Sequence, residues 1–129
     1  MRPETLLDFM GVAEHLKCNM RHSRMTDHRR ESVAEHTYRL CVFAWLVKEE
    51  FPDCDMDKVM KMCLFHDLGE ALTGDIPAFV KTDDDRETEG DALTLLTAML
   101  PGKERQELDE LFGELEREET MEAKIVHAL

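Results

Sequence analysis

Apolar residues recur every three or four positions along most of this chain, which is the spacing of α-helices that bury one face. The clearest stripe consists of Leu108, Leu111 and Leu115. Similar spacing predicts helices over about residues 4–18, 33–50, 55–67, 68–73, 82–100, 103–115 and from 121 onward. No alternating pattern typical of a β-strand appears, so we predict an all-α protein.

Capping residues fix several of the predicted helix ends. Ser32 and Glu35 have the spacing of a capping box, in which each side chain accepts a hydrogen bond from the other residue's amide. Asp55 and Thr120 are suited to cap the helices that follow them. Pro52 ends the helix before it, because proline lacks the amide hydrogen that a helix needs.

Length and charge restrict the function classes. At 129 residues the chain corresponds to one domain. A net charge of −13 repels nucleic acid and anionic membranes, so neither is an expected partner. No apolar run approaches the length of a membrane span or a signal peptide, and we expect a cytoplasmic protein. The four cysteines show no paired spacing and are predicted to be reduced, mostly core thiols.

One basic segment interrupts the acidic background. Residues 19–31 lack periodicity and are predicted to form a loop. Within it, the ten residues 21–30 hold four of the nine arginines and a single acid. An anionic substrate could enter there, although a merely solvated loop is the simpler alternative.

His66 and Asp67 are the candidate centre of the chemistry. They end an apolar helix, and two buried titratable groups cost several kcal/mol unless something such as a divalent metal pairs them. His36 lies on one helical stripe with Leu40 and Phe43, which we predict to face the core. The alternative is that the histidines are structural and bond to backbone carbonyls.

Two carboxylates follow the histidine–aspartate pair. Glu70 comes four residues after His66 and should share its helix face, and Asp75 follows a glycine turn. A carboxylate beside a metal-bound water can accept its proton or deliver one to a leaving oxygen. In the simpler alternative, Glu70 faces solvent and Asp75 caps a turn.

Taken together, the motifs S-x-x-E-H at 32–36 and H-D-x-x-E-x-x-x-G-D-x-P at 66–77 resemble the HD-domain metal-dependent phosphohydrolases. Within that family the chain looks most like the 5′-deoxynucleotidase group. The resemblance implies a compact bundle of about six helices and a metal held by His36, His66 and Asp67. It implies that Glu70 activates the attacking water and that Asp75 supplies a proton to the leaving group.

The substrate side of the resemblance rests on basic residues. Arg21 lies 15 residues before His36, as the family's phosphate-binding arginine does. Arg24 and Lys81 are expected to assist it. His22 stands where the family has a tryptophan beside the sugar, so it either contacts the sugar or is plain surface.

Another difference from the family lies at the end of the sequence. The fourth ligand expected from the resemblance, an aspartate, would fall one residue after Leu129. We therefore expect residues 1–129 to be a single HD domain that lacks its C-terminal helices. His127 does not occupy the aspartate position.

The predicted function is metal-dependent release of phosphate from (deoxy)nucleoside 5′-monophosphates. Two imidazoles with carboxylates suit one ion of Mn, Co, Fe, Ni or Zn. The resemblance also implies a homodimer. One alternative is a non-catalytic nucleotide-binding module, which would have no need of Glu70 and Asp75. Another is a phosphodiesterase or pyrophosphohydrolase acting on a signalling nucleotide, which would need more ligand contacts than this chain offers.

Overall fold

The computed structural model describes residues 1–73 and 83–129. Asp75, the predicted glycine turn before it and Lys81 lie outside the described residues.

Seven α-helices lie in these segments, and one of them is a single turn. They are α1 (Pro3–Ala13), α2 (Val33–Leu46), α3 (Met56–Phe65), α4 (Glu70–Thr73), α5 (Asp83–Ala98), α6 (Gly102–Arg117) and α7 (Met121–Ala128). Short 3₁₀ turns at Glu14–Lys17 and Lys48–Glu50 extend α1 and α2 to their predicted ends. The predicted all-α fold with about six helices is confirmed. None of the helices described here is long and apolar enough to cross a membrane.

The capping residues begin their helices as predicted. The Glu35 amide donates to Ser32 Oγ at 3.1 Å, and the Ser32 amide donates to Glu35 Oε1 at 3.0 Å, which completes the capping box of α2. Asp55 accepts from the amide of Lys58 at the start of α3. Thr120 accepts in the same way at the start of α7. Each cap satisfies an amide that would otherwise lack a partner in the first helical turn.

One continuous core joins α2, α3, α6 and α7. It includes Leu40 and Ala44 of α2, Met62 and Cys63 of α3, Leu108, Leu111 and Leu115 of α6, and Ile125 and Val126 of α7. The predicted stripe of α6 is therefore confirmed. All four cysteines are free, and Cys63 is buried while Cys18 is exposed.

The prediction that Phe43 faces the core is wrong. Its side chain is 50% exposed, whereas Leu40 is 8% exposed. The core-facing positions of α2 are Val33, Thr37, Leu40 and Ala44, which are spaced by four, three and four residues. Phe43 is one position away from Ala44, and a helix turns by about 100° per residue, so its side chain lies beside this stripe.

The prediction that residues 19–31 form a loop is also wrong. Met20–Arg24 (β1) and Arg30–Ser32 (β2) pair as a two-stranded antiparallel hairpin. At its tip, the His28 amide donates to the Met25 carbonyl at 2.9 Å, and His28 has a φ of 69°. Such a left-handed residue after a tight turn is common in short hairpins. The strands are short and mostly polar, so they lack the alternating apolar pattern by which strands are recognised.

We predict that Met62→Ala lowers the free energy of unfolding by about 2–5 kcal/mol, because it leaves a cavity at a fully buried position. Urea denaturation followed by circular dichroism measures the change. The matched control is Met10→Ala, at a side chain that is 56% exposed, with an expected change within about 0.5 kcal/mol. Equal losses in the two variants would contradict the assignment of the core.

Candidate metal centre

The end of α3 places His66 and Asp67. The His66 amide still donates to the Met62 carbonyl at 2.8 Å, so the helical path continues through this residue. The chain then tightens, with the Leu68 amide bonded to the Phe65 carbonyl and the Glu70 amide bonded to the Asp67 carbonyl, both at 3.0 Å. The prediction that His66 and Glu70 share one helix face is therefore wrong, because α3 ends before the turn and α4 begins after it.

Three predicted ligands converge on one point. His66 Nε2 lies 2.8 Å from Asp67 Oδ2, and His36 Nε2 lies 3.7 Å from the same oxygen. The ring centroids of His36 and His66 are 5.6 Å apart. One ligand atom from each of the three residues lies within 4.8 Å of the others, so the group could hold a metal ion. Their side chains are about one-fifth exposed, which leaves the cluster accessible from solvent.

The charges within the cluster influence one another. Burial by itself would raise the pKa of Asp67, but the hydrogen bond from His66 and the nearby positive charges lower it overall. Burial by itself would lower the pKa of His66, but the same hydrogen bond raises it overall. Burial lowers the pKa of His36, and the Arg21 charge adds to that effect. At neutral pH the cluster therefore contains an ionised carboxylate and a neutral His36 imidazole, which are the forms that bind metal.

The remaining hydrogen bond of His66 fits metal binding. Its Nδ1 lies 2.8 Å from the Cys63 carbonyl, which can only accept, so Nδ1 carries a proton. Nε2 donates to Asp67 in this structure and would be the ligand atom once it gives up that proton. Metal-binding histidines commonly donate their other ring N–H to a carbonyl. Two imidazoles and a carboxylate form a donor set for a divalent transition metal.

Arg21 of β1 reaches the cluster. Its Nη1 donates to Glu31 Oε1 at 2.8 Å and lies 2.9 Å from His36 Nδ1. The hairpin is what brings Arg21 there, since β1 and β2 pair just before α2 begins. Glu31 was missed by sequence reasoning, and only the pairing of the two strands reveals it as a neighbour of Arg21.

Asn19, also missed from the sequence, ties α4 to the start of α2. Its side-chain amide donates to the Glu70 carbonyl at 2.5 Å, and its own carbonyl accepts from the Val33 amide at 2.9 Å. His15 Nδ1 lies 3.3 Å from the Ala71 carbonyl. These bonds hold the backbone of Glu70, whose side chain is partly buried.

The predicted substrate residues His22 and Arg24, and the C-terminal His127, have their described contacts outside the cluster of His36, His66 and Asp67. His22 and Arg24 are exposed on β1, and Arg24 Nη1 donates to the His28 carbonyl at 3.0 Å within the hairpin. His127 Nε2 lies 3.0 Å from the Leu115 carbonyl. The substrate contacts of His22 and Arg24 stay predictions.

The helical fold brings two histidines and an aspartate together beside an arginine, and this arrangement defines a protein with a candidate metal centre. A family model described as "HD domain" matches residues 13–129. Because the match covers most of the sequence, the chain belongs to the HD-domain family.

Related proteins agree with this assignment. The human protein named 5′-deoxynucleotidase HDDC2 is 36% identical over 103 residues, which are 78% of this chain and 50% of that protein. The Xenopus laevis protein of the same name is 33% identical over 131 residues, covering 98% of this chain and 64% of that protein. The chain thus spans about half the length of the first curated relatives it matches.

Solved structures share the fold. A crystal structure described as a "predicted metal-dependent phosphohydrolase" from Magnetospirillum magnetotacticum MS-1 has a TM-score of 0.86 and 31% identity, covering 97% of this chain and 66% of that one. A conserved hypothetical protein from Pyrococcus furiosus has a TM-score of 0.75 and 30% identity, covering 95% of this chain and 73% of that one. The family and the cluster together point to a divalent metal.

We predict that Mn²⁺, Co²⁺, Ni²⁺ or Zn²⁺ raises the melting temperature. A metal at 100 times its Kd should stabilise the fold by about 2.7 kcal/mol. His36→Ala, His66→Ala and Asp67→Ala should each remove most of that gain in a thermal-shift titration. The control is His28→Asn, which deletes an exposed imidazole while keeping a residue type that tolerates the positive φ. If the three variants respond to metal as the unmodified protein does, the cluster is not the metal site.

Proposed function

We propose that this protein is a metal-dependent phosphohydrolase that releases phosphate from (deoxy)nucleoside 5′-monophosphates. The observation that carries the proposal is the convergence of His36, His66 and Asp67 next to the guanidinium of Arg21. A metal cluster and a cationic fork side by side suit a phosphate group, which needs both charge neutralisation and orientation. Relatives named 5′-deoxynucleotidases support the choice of substrate.

In this proposal His36, His66 and Asp67 hold one divalent ion. When bound, such an ion polarises a phosphate oxygen and lowers the pKa of a coordinated water. The donor set favours Mn, Co, Fe, Ni or Zn over calcium, which prefers oxygen ligands. The contacts of the two imidazoles with Asp67 hold the three ligand atoms close together before an ion binds.

The protein's other residues handle the substrate and the protons. Arg21 binds the phosphate, and the basic segment 21–30 locally reverses the net charge of −13. The Glu70 carboxylate takes the proton of the attacking water, and Asp75 delivers one to the departing sugar oxygen. His22, Arg24 and Lys81 complete the proposal on the substrate side.

The setting of the enzyme is part of the same proposal. An acidic protein of this kind acts on a small nucleotide in the cytoplasm and does not bind nucleic acid or membranes. Exposed apolar side chains, among them Leu7 at 69% and Leu46 at 67%, support assembly as a homodimer.

Two other functions make different predictions. A non-catalytic nucleotide-binding module would bind the nucleotide without turning it over. A phosphodiesterase or pyrophosphohydrolase would prefer a signalling nucleotide with a bridged phosphate to a monoester. The Arg21 contact supports the monoester reading, because one arginine beside the cluster suits one terminal phosphate.

We predict phosphate release from AMP, dAMP or dUMP in the presence of a divalent metal, measured as free phosphate beside a generic aryl phosphate. Glu70→Gln should lower kcat by about 10²–10⁴-fold, the usual contribution of a general base, while metal still binds. Glu49→Gln, at an exposed glutamate, is the control and should keep full activity. Absence of release with every metal, alongside normal nucleotide binding, would refute the hydrolase and favour the binding module.

We predict that Arg21→Ala raises KM about tenfold or more, since a hydrogen bond to a charged group contributes about 1.5–3 kcal/mol. Arg117→Ala removes an exposed arginine at the end of α6 and should leave KM within about twofold, because a surface substitution away from a site has little effect. Steady-state kinetics with dAMP measures both variants. A KM for Arg21→Ala equal to that of the unmodified protein would remove Arg21 from the phosphate site.

A further inference from the structure

Glu31 is a carboxylate to which the proposed function gives no role. Its Oε1 accepts from Arg21 Nη1 at 2.8 Å and lies 3.7 Å from His36 Nδ1. At 13% exposure it is more buried than the side chains of Arg21, His36 or Asp67. One carboxylate oxygen thus faces both the proposed phosphate-binding arginine and a proposed metal ligand.

The contact between Arg21 and His36 fixes the tautomer of His36 in this structure. A guanidinium can only donate hydrogen bonds, so His36 Nδ1, at 2.9 Å from Arg21 Nη1, must be the acceptor. A neutral imidazole has one ring proton, and that proton is then on Nε2. Nε2 is also the atom that faces Asp67, at 3.7 Å.

Metal binding requires the opposite tautomer. Nε2 can bind a metal only through a free lone pair, so a neutral His36 must then carry its proton on Nδ1. Two donors, Nδ1–H and the Arg21 N–H, cannot hydrogen bond to each other. The Nδ1 proton needs an acceptor, and the Glu31 carboxylate is the acceptor beside it. His66 has no such conflict, because its Nδ1 already donates to the Cys63 carbonyl.

We infer that Glu31 is a positioning residue that accepts from Arg21 when the site is empty of metal and from His36 Nδ1–H when metal is bound. The proton on Nε2 leaves to solvent and a solvent proton joins Nδ1, so the imidazole stays neutral. This exchange frees Arg21 from His36 and makes its guanidinium available to the phosphate. The inference rests on the proposed function, because it assumes the same metal cluster and the same arginine.

The alternative is that Glu31 only holds the hairpin through its ion pair with Arg21. The two roles differ in the partner through which Glu31 affects metal binding. In our inference Glu31 acts through His36, so its removal weakens metal binding whether or not Arg21 is present. In the alternative its effect disappears when Arg21 is removed.

The first test is zinc affinity, measured by isothermal titration with Zn²⁺ alone. Glu31→Gln should weaken binding about 10–100-fold, because a neutral amide replaces the charged carboxylate beside His36 and its NH2 group brings a donor to a place that needs an acceptor. The matched control is Glu35→Gln: Glu35 also accepts from an arginine, Arg29 at 2.7 Å, and its other carboxylate oxygen accepts from the Ser32 amide at 3.0 Å. Its affinity should stay within about twofold, since glutamine also serves in a capping box. Equal affinities for Glu31→Gln and the unmodified protein would overturn the inference.

A double-mutant cycle separates the two roles of Glu31. Arg21→Ala should bind Zn²⁺ at least as tightly as the unmodified protein, because it removes the donor that competes for Nδ1. In the Arg21→Ala background, Glu31→Gln should still weaken binding about tenfold or more. Loss of that effect would show that Glu31 acts only by holding Arg21.

A second measurement needs no variant at His36 or Glu31. Nitrogen-15 NMR of the histidine rings should show the His36 proton on Nε2 without metal and on Nδ1 with Zn²⁺. A proton already on Nδ1 in the metal-free protein would overturn the inference even if Glu31→Gln does not fold. Unmodified protein that binds none of Zn²⁺, Mn²⁺, Co²⁺, Ni²⁺ and Fe²⁺ would refute the metal site and the proposed function together. Normal zinc binding and phosphate release, with an unaffected Glu31→Gln, would refute this inference alone.

Discussion

The packing of α2 against α3 is the constraint on which the site depends. Leu40 of α2 and Met62 of α3 belong to one core, and these two helices share the most extensive helix–helix contact in the described structure. His36 lies one turn before Leu40, and His66 lies one turn after Met62. Burial of the two apolar faces therefore brings the imidazoles together at the edge of the same interface, with their rings 5.6 Å apart. Any loss of this packing would separate the cluster.

The cluster combines groups that would be unfavourable alone. Asp67 is only partly exposed, yet its contact with His66 keeps its pKa below the ordinary value, and the same contact keeps the pKa of His66 above its own. Arg21 approaches from the hairpin and meets Glu31, which balances its charge. The carboxylates of Asp67 and Glu31, two imidazoles and one guanidinium therefore lie together at one corner of the described structure.

Much of the architecture follows from local rules. The capping box of Ser32 and Glu35 begins α2 where the sequence places it, and the leucine stripe of α6 is buried as predicted. The hairpin escaped prediction because its strands are short and polar, so neither helical nor alternating spacing marks them. Phe43 was misplaced because its spacing of three residues from Leu40 is also typical of a buried stripe, and the sequence pattern does not show that the stripe continues through Ala44 instead.

The sequence by itself determined most of the helices and their caps, because these depend on residue type and on short-range spacing. Its motifs indicated the three candidate ligands through their resemblance to the HD-domain family. Tertiary structure decided which groups meet. Arg21 and Glu31 are ten residues apart and become neighbours only through strand pairing. Glu70 lies beyond a tight turn that separates α3 from α4, although its spacing from His66 had predicted one shared face. Hydrogen bonds between distant segments, such as that from Asn19 to the Glu70 carbonyl, have no local signature and appear only when the chain is folded.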